Sequence, residues 1–419
     1  MRPLSLLIGL ILGGVIPPVV TAHDGPDGHH HSKIPPLAHA VRFEGFLTMI
    51  TILEPQDPSQ SPLPVTWKHR PDLAVLDAKN PKNKPILDNI RALHGAFMRD
   101  EETGNIYTVF PGAGLAVLKA DLKEWTLIGG DKKLGGMNSH GGVAFKLGNT
   151  TLLAFASTNT REVVLCTTDG KIEATLGKPT AKEEFKDQHI ADYFGGKTPD
   201  VYPMGKDKKP LGPDFNPTSV CYLPKEKLLA VTTGYSGGAS GDFVLLATPG
   251  DGHSLKWTSG GFGRRGNKEG QLSTGHGISW VKDSNPTQVA VASRANHRRY
   301  TFNVADGKLV ESVQLDPGFF VCGVDDAVLE GRKLSFYPLL NAVEGKKNAG
   351  VAVYEGKKKI SVLVPGAEKG LEVMVHIHGA SIISGPDGKG AFAIVQSWNP
   401  GSPPAVFELT VNTKAADKK

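Results

Sequence analysis

Short apolar runs rich in Val, Leu, Ile, Phe and Thr follow one another along this chain, separated by turns that carry Gly, Pro, Asn or Asp. One stretch reads His140-Gly-Gly-Val-Ala-Phe, Thr151-Leu-Leu-Ala-Phe-Ala, Arg161-Glu-Val-Val-Leu-Cys, then Asp169-Gly170 and Lys171-Ile-Glu-Ala-Thr-Leu. A second reads His276-Gly-Ile-Ser-Trp, Gln288-Val-Ala-Val-Ala, Arg298-Arg-Tyr-Thr-Phe, then Asp306-Gly307 and Lys308-Leu-Val-Glu-Ser-Val. Runs of this length, bounded by turn residues and enriched in β-branched and aromatic side chains, predict strands. Patterns of helical period are scarce. Four strands per unit, repeated, predict an all-β chain built as a β-propeller.

The units start at His-Gly pairs. His94-Gly95, His140-Gly141, His276-Gly277 and His378-Gly379 are separated by 46, 136 and 102 residues, close to multiples of a repeat of about 45 to 50 residues. Two further starts lie in Asn216-Pro-Thr-Ser-Val and Phe320-Val-Cys-Gly-Val. The predicted fold is therefore a six-bladed propeller over residues 40–412, with blades beginning near His94, His140, Thr218, His276, Cys322 and His378. The Lys-, Asp-, Gly- and Pro-rich stretch 178–212 reads as an insertion between blades two and three, a surface loop or lid. The apolar run Val41–Ile52 is expected to supply an outer strand to the last blade and close the ring, leaving no open edge.

The termini read differently. Residues 1–22 combine Arg2, an apolar stretch and Val20-Thr21-Ala22, which is the pattern of a secretory signal peptide. Gly9, Gly13, Gly14 and Pro17-Pro18 break that stretch and argue against a stable membrane anchor. A secreted or periplasmic location follows. Residues 23–39 form a His-rich, flexible segment in which His23 and His29 to His31 suit weak metal capture, and 413–419 is a Lys-rich tail. Three cysteines, Cys166, Cys221 and Cys322, allow at most one bridge. The formal charge of +5 comes from scattered lysines without a basic stripe, so nucleic acid is not an expected partner. A monomer acting on a small molecule or peptide in its channel, or holding a protein partner, is the expectation.

Equivalent positions of a propeller form a ring about its axis, and blades two, four and six are related by three-fold symmetry. His140, His276 and His378 are thus expected to converge on the axis as three imidazoles. Three histidines with an open fourth position suit a catalytic Zn2+, although another divalent transition metal or a structural Ca2+ is an alternative occupant. His94 is either a further ligand or an outer donor to one. His376, two residues before His378, reads as structural, and Cys322 as a buried cysteine or a channel thiolate.

The segments Gly261-Phe-Gly-Arg-Arg-Gly-Asn-Lys-Glu-Gly-Gln-Leu-Ser-Thr-Gly-His-Gly-Ile-Ser-Trp280 and Ser293-Arg-Ala-Asn-His-Arg-Arg-Tyr-Thr-Phe302 resemble NHL repeats, and among these the peptidylglycine alpha-hydroxyglycine alpha-amidating lyases. The resemblance implies a six-bladed propeller with a channel zinc on His140, His276 and His378. It further implies Tyr235 as catalytic base and Arg294 as the group that holds the substrate carboxylate. The implied reaction is a carbon–nitrogen lyase cleavage of a C-terminal alpha-hydroxyglycine to a peptide amide and glyoxylate. The pattern departs from that family where Val109-Phe-Pro-Gly-Ala-Gly114 replaces a first-blade arginine segment and where Gly379 replaces an acidic residue. Competing expectations are a non-enzymatic binding propeller with a structural channel metal, and a metal-dependent hydrolase. Tyr235 can equally pack over Trp257 or Phe262, and Arg294 can be an ordinary inter-blade arginine like Arg298 and Arg299.

Overall fold

The structure, a computed structural model, describes residues 64–412 apart from 181, 203, 236–240, 367–369, 386–389 and 399–400. Residues 1–22, expected to be a signal peptide, the His-rich segment, the run Val41–Ile52 and the Lys-rich tail lie outside the described residues. The strands form six four-stranded antiparallel sheets, the blades of an all-β six-bladed propeller. Their inner strands are Met98–Arg99, Ser139–Leu147, Pro217–Leu223, Gly275–Val281, Asp325–Leu329 and Ile377–Ser384, each paired with the next strand in sequence. The two short α-helices among the described residues are Lys84–Asn89 and Gln188–Phe194, and no described helix is long and apolar enough to cross a membrane.

Blade six is closed by the N-terminal strand Val65–His69, which pairs antiparallel with Ala405–Val411, Val65 opposite Val411 and His69 opposite Phe407. The outer position expected for Val41–Ile52 is therefore taken by a shorter, more polar segment. Alternation decides this: Val65 is fully buried and Trp67, on the same face, stacks on Phe407 at 4.1 Å. Ser361 of blade five accepts a hydrogen bond from Val65 N and donates one to Val65 O, tying the closing strand to its neighbour.

The apolar core is not central but divided among the blade interfaces. Phe155, Val164 and Cys166 of blade two pack on Met98, Val109 and Leu115 of blade one. Comparable clusters join blades two and three, three and four, four and five, five and six, and six and one. Each sheet buries both faces against neighbours, so the cores stabilise the ring while the inner strands face the axis. The segment 178–212 joins the two–three interface. Asp187 caps the helix Gln188–Phe194 by accepting from His189 N and Ile190 N, and Ile190, Tyr193 and Phe194 are buried in that core. Tyr202 Oη donates to Tyr193 O at 2.7 Å. The helical part is thus an anchored extension of the core rather than a free surface loop.

Candidate metal centre

Four of the inner strands carry the same irregularity. Ser139 and Gly141 pair with consecutive residues of the next strand, leaving His140 as an extra residue. The same happens at Thr218, between Pro217 and Ser219, at His276, between Gly275 and Gly277, and at His378, between Ile377 and Gly379. A bulge of this kind turns one side chain out of the blade face. Here it turns imidazoles toward the axis.

The three even-blade histidines meet there. Their ring centroids are 4.4 Å apart for His140 and His276, 4.5 Å for His140 and His378, and 4.8 Å for His276 and His378. Each is buried, and each Nδ1 lies against the carbonyl of the ring residue in the following blade. His140 Nδ1 reaches Thr218 O at 3.0 Å, His276 Nδ1 reaches Cys322 O at 2.6 Å, and His378 Nδ1 reaches His94 O at 2.9 Å. A carbonyl only accepts, so each Nδ1 carries the proton and each Nε2 is an unprotonated acceptor. The glycine after each histidine makes this approach possible. A Cβ on Gly141 would lie 2.7 Å from Ser219 Cβ, one on Gly277 2.6 Å from Gly323 Cα, and one on Gly379 2.3 Å from Gly95 O.

His94 lies ahead of the two-residue inner strand of blade one and joins the group from the side. Its ring is 4.9 Å from His378 and 5.3 Å from His140, and it rests on Trp398 at 4.6 Å. Its Nδ1 is near Ala92 O at 3.1 Å and its Nε2 near Asn138 Nδ2 at 3.4 Å. Among the described residues, donor atoms that lie within 4.8 Å of one another form two groups, His94 with His140 and His378, and His276 with Cys322 and His378. His378 belongs to both. Imidazole and thiol suit a transition ion. Neither group contains a carboxylate, so the axis does not fit the structural Ca2+ considered above, which takes oxygen ligands.

The Tyr235 side chain is not the packing aromatic the sequence allowed. Trp257 faces Phe215 and donates to Gly177 O, and Phe262 packs on Phe302. Tyr235 Oη instead lies 2.7 Å from His276 Nε2 and 3.4 Å from His140 Nε2, and accepts from Arg294 Nη1 at 2.9 Å. Its backbone has φ +57, a left-handed conformation that costs a non-glycine residue about 1–2 kcal/mol. Arg294 is buried, 7% exposed, and its other contacts are Val321 O and Cys322 Sγ, the latter at 3.3 Å. Arg298 and Arg299 point elsewhere, to Ser312 and to Asp326 and Glu311.

Burial depresses the His276 and His378 pKa values well below the usual histidine range, with Arg294 adding to the effect on His276 and His140 to that on His378. Both are neutral at physiological pH, the state that binds metal. Burial raises the Cys322 thiol, with Arg294 partly offsetting it. For Arg294, burial opposes the charge, but Cys322 and Tyr235 more than compensate and its pKa is raised. All three cysteines are free and buried; Cys166 and Cys221 sit in inter-blade cores. His376 lies beside the site, 5.6 Å from His378 and 5.2 Å from Trp398. Asn138, Trp398 and the carbonyls of Thr218 and Cys322 carry no sequence signal of their own, since only the ring geometry brings them to the histidines.

No protein-family model matches the chain, and no curated protein matches it. Among solved structures, a protein of unknown function from Bacteroides caccae is similar over 68% of this chain and 79% of its own, at 14% identity and a TM-score of 0.38. Hydrazine synthase from Kuenenia stuttgartiensis is similar over 59% of this chain and 53% of its own, at 12% identity and a TM-score of 0.34. At those scores neither neighbour says what this chain does, and the site stands on its own geometry.

Proposed function

We propose that this propeller is an exported, metal-dependent lyase that cleaves an alpha-hydroxyglycine-type carbinolamide, releasing an amide and glyoxylate. The observation that carries the reading is the position of Tyr235 Oη, within hydrogen-bond reach of His276 Nε2 and Arg294 Nη1 at once. A phenol, a buried guanidinium and the neutral imidazoles of His276 and His378 then lie together at the axis. The donors that would hold the ion are His140, His276 and His378, with His94 alongside; zinc is the ion that resemblance to the amidating lyases favours. When bound, such an ion supplies Lewis acidity to a substrate oxygen.

The chain's own groups account for the rest. Arg294, with no carboxylate against its guanidinium among the described residues, is suited to pair with a substrate carboxylate. Its hydrogen bond orients the Tyr235 hydroxyl, which gives its own proton to the departing amide nitrogen as the carbon–nitrogen bond breaks and takes the proton of the substrate hydroxyl in its place. The pattern of residues 1–22 supports a secreted or periplasmic location.

A non-enzymatic propeller with a structural ion is the second reading, and one observation favours it: His94, His140 and His378 place three buried donors together without needing Tyr235 or Arg294. Turnover of an alpha-hydroxyglycine peptide by the purified chain, before and after chelation, separates the two. The lyase reading expects turnover that is lost on chelation and lowered by about 10²–10⁴-fold in Tyr235→Phe, the usual range for removal of a general base. Bound metal without turnover sinks it in favour of the structural ion.

A further inference from the structure

The odd-numbered blades put His94, Thr218 and Cys322 at the ring positions between the even-blade histidines. Thr218 is committed elsewhere, since its Oγ1 donates to Gly275 O at 2.7 Å and approaches Thr232. Cys322 is not withdrawn in this way. Its sulfur is buried, lies with donor atoms of His276 and His378 inside a 4.8 Å group, and receives a hydrogen bond from Arg294 Nη2.

Charge balance gives that position its meaning. Arg294 is buried, and its partners Tyr235 Oη, Val321 O and Cys322 Sγ include no carboxylate. A divalent ion among neutral imidazoles would bring three positive charges into one buried site, and such charge is costly without an anion. Of the side chains there, Cys322 is the one whose donor atom falls in a group with His276 and His378. Sulfur is also the better ligand for a borderline or soft ion.

We propose that Cys322 Sγ is a thiolate ligand of the axial ion, completing a Cys-His-His set with His276 and His378 that selects a thiophilic ion such as zinc and leaves one position open. The inference rests on the axial metal reading above and refines its donor set: Cys322 takes the place given there to His140, whose donor atom falls in the other 4.8 Å group. On binding, the S–H bond breaks, a metal–sulfur bond forms and the proton leaves to solvent; no electrons change hands. Arg294 stays as an N–H donor to the sulfur, as outer donors to metal-bound thiolates do. Cys166 and Cys221, buried in apolar cores, serve as internal controls.

The test is X-ray absorption spectroscopy on the full chain loaded with zinc and passed over a weak chelator, so that only tightly held zinc remains. The expected spectrum shows one sulfur at about 2.3 Å beside nitrogens at about 2.0–2.1 Å. Cys322→Ser should lose the sulfur shell and weaken zinc binding by at least about tenfold, taking the range for loss of even an outer-shell partner as the floor, while Cys166→Ser keeps both. One zinc bound through nitrogen and oxygen alone overturns the thiolate and leaves the histidine site standing. Failure to retain any zinc overturns both. If Cys322→Ser does not fold, the wild-type spectrum alone decides.

Discussion

Each ring histidine does two things at once: its Nδ1 satisfies the carbonyl of the next blade and its Nε2 faces the axis. Removing one therefore costs metal and structure together. His378→Ala should weaken zinc binding beyond the roughly 10–100-fold that loss of an outer-shell partner costs, read by competition with a chromophoric chelator. It should also destabilise the fold by about 1–3 kcal/mol, because the hydrogen bond that the buried His378 Nδ1 gives to His94 O is lost. The depressed pKa values of His276 and His378 set a pH dependence. Below about pH 6.5 the unfolded chain binds protons at these two positions that the native chain does not, so their contribution is present above that pH and lost as pH falls. The slope for two such groups approaches about 2.7 kcal/mol per pH unit. Asp325, raised to about 6 mainly by burial, has the opposite sign: from about pH 6 down to its unfolded value of 3.8 the native chain holds a proton the unfolded chain lacks. The metal-free chain should thus start to lose stability near pH 6.5 and, below 6, lose it at about half the slope of the histidine pair alone, about 1.4 kcal/mol per pH unit. Urea midpoints measured across that range in chelator check this, and a midpoint that does not move would refute the neutral pair.

At the scale of elements, the bulge and the glycine that follows it convert a strand into a ligand-bearing arm. The sequence made the glycines visible as His-Gly pairs, but the extra residue at each bulge shows only in the register of the pairing. Gly379→Ala is expected to destabilise the chain by about 1–3 kcal/mol, the usual cost of overpacking, because its Cβ would meet Gly95 O at 2.3 Å. It should also loosen metal binding by parting blades six and one. Gly136→Ala, where a Cβ meets nothing within 4 Å, should change stability by no more than about 0.5 kcal/mol. Thermal unfolding of the two variants with and without zinc compares them directly. The segment 178–212 carries a related lesson. Its charged composition suggested a surface loop, whereas Ile190, Tyr193 and Phe194 sit on one buried helix face. Seven helical residues inside a polar stretch give too short a periodic signal to stand out.

The described residues form a closed ring whose stability is distributed over six interfaces, so the strand that closes it should matter to all of them. Trp67→Ala removes the stack on Phe407 and, for a half-buried tryptophan, should cost about 2–3 kcal/mol, below the range for a fully buried one. The expected denaturation remains a single transition shifted to lower urea; a separate early transition confined to blade six would show that closure is not shared around the ring. The sequence by itself determined the strand class, the number of blades and the ring residues, because repeats place identical side chains at identical positions. It also singled out Tyr235 and Arg294, through resemblance. Only the tertiary structure decided which strand closes the ring, that Tyr235 reaches the histidines rather than Trp257 or Phe262, and that the donor groups draw in Cys322 as well as His94. Those outcomes depend on contacts between blades tens to hundreds of residues apart, such as His378 with His94 and Val65 with Val411. Local pattern specifies each blade, whereas which blade lies beside which side chain is settled only when the ring shuts.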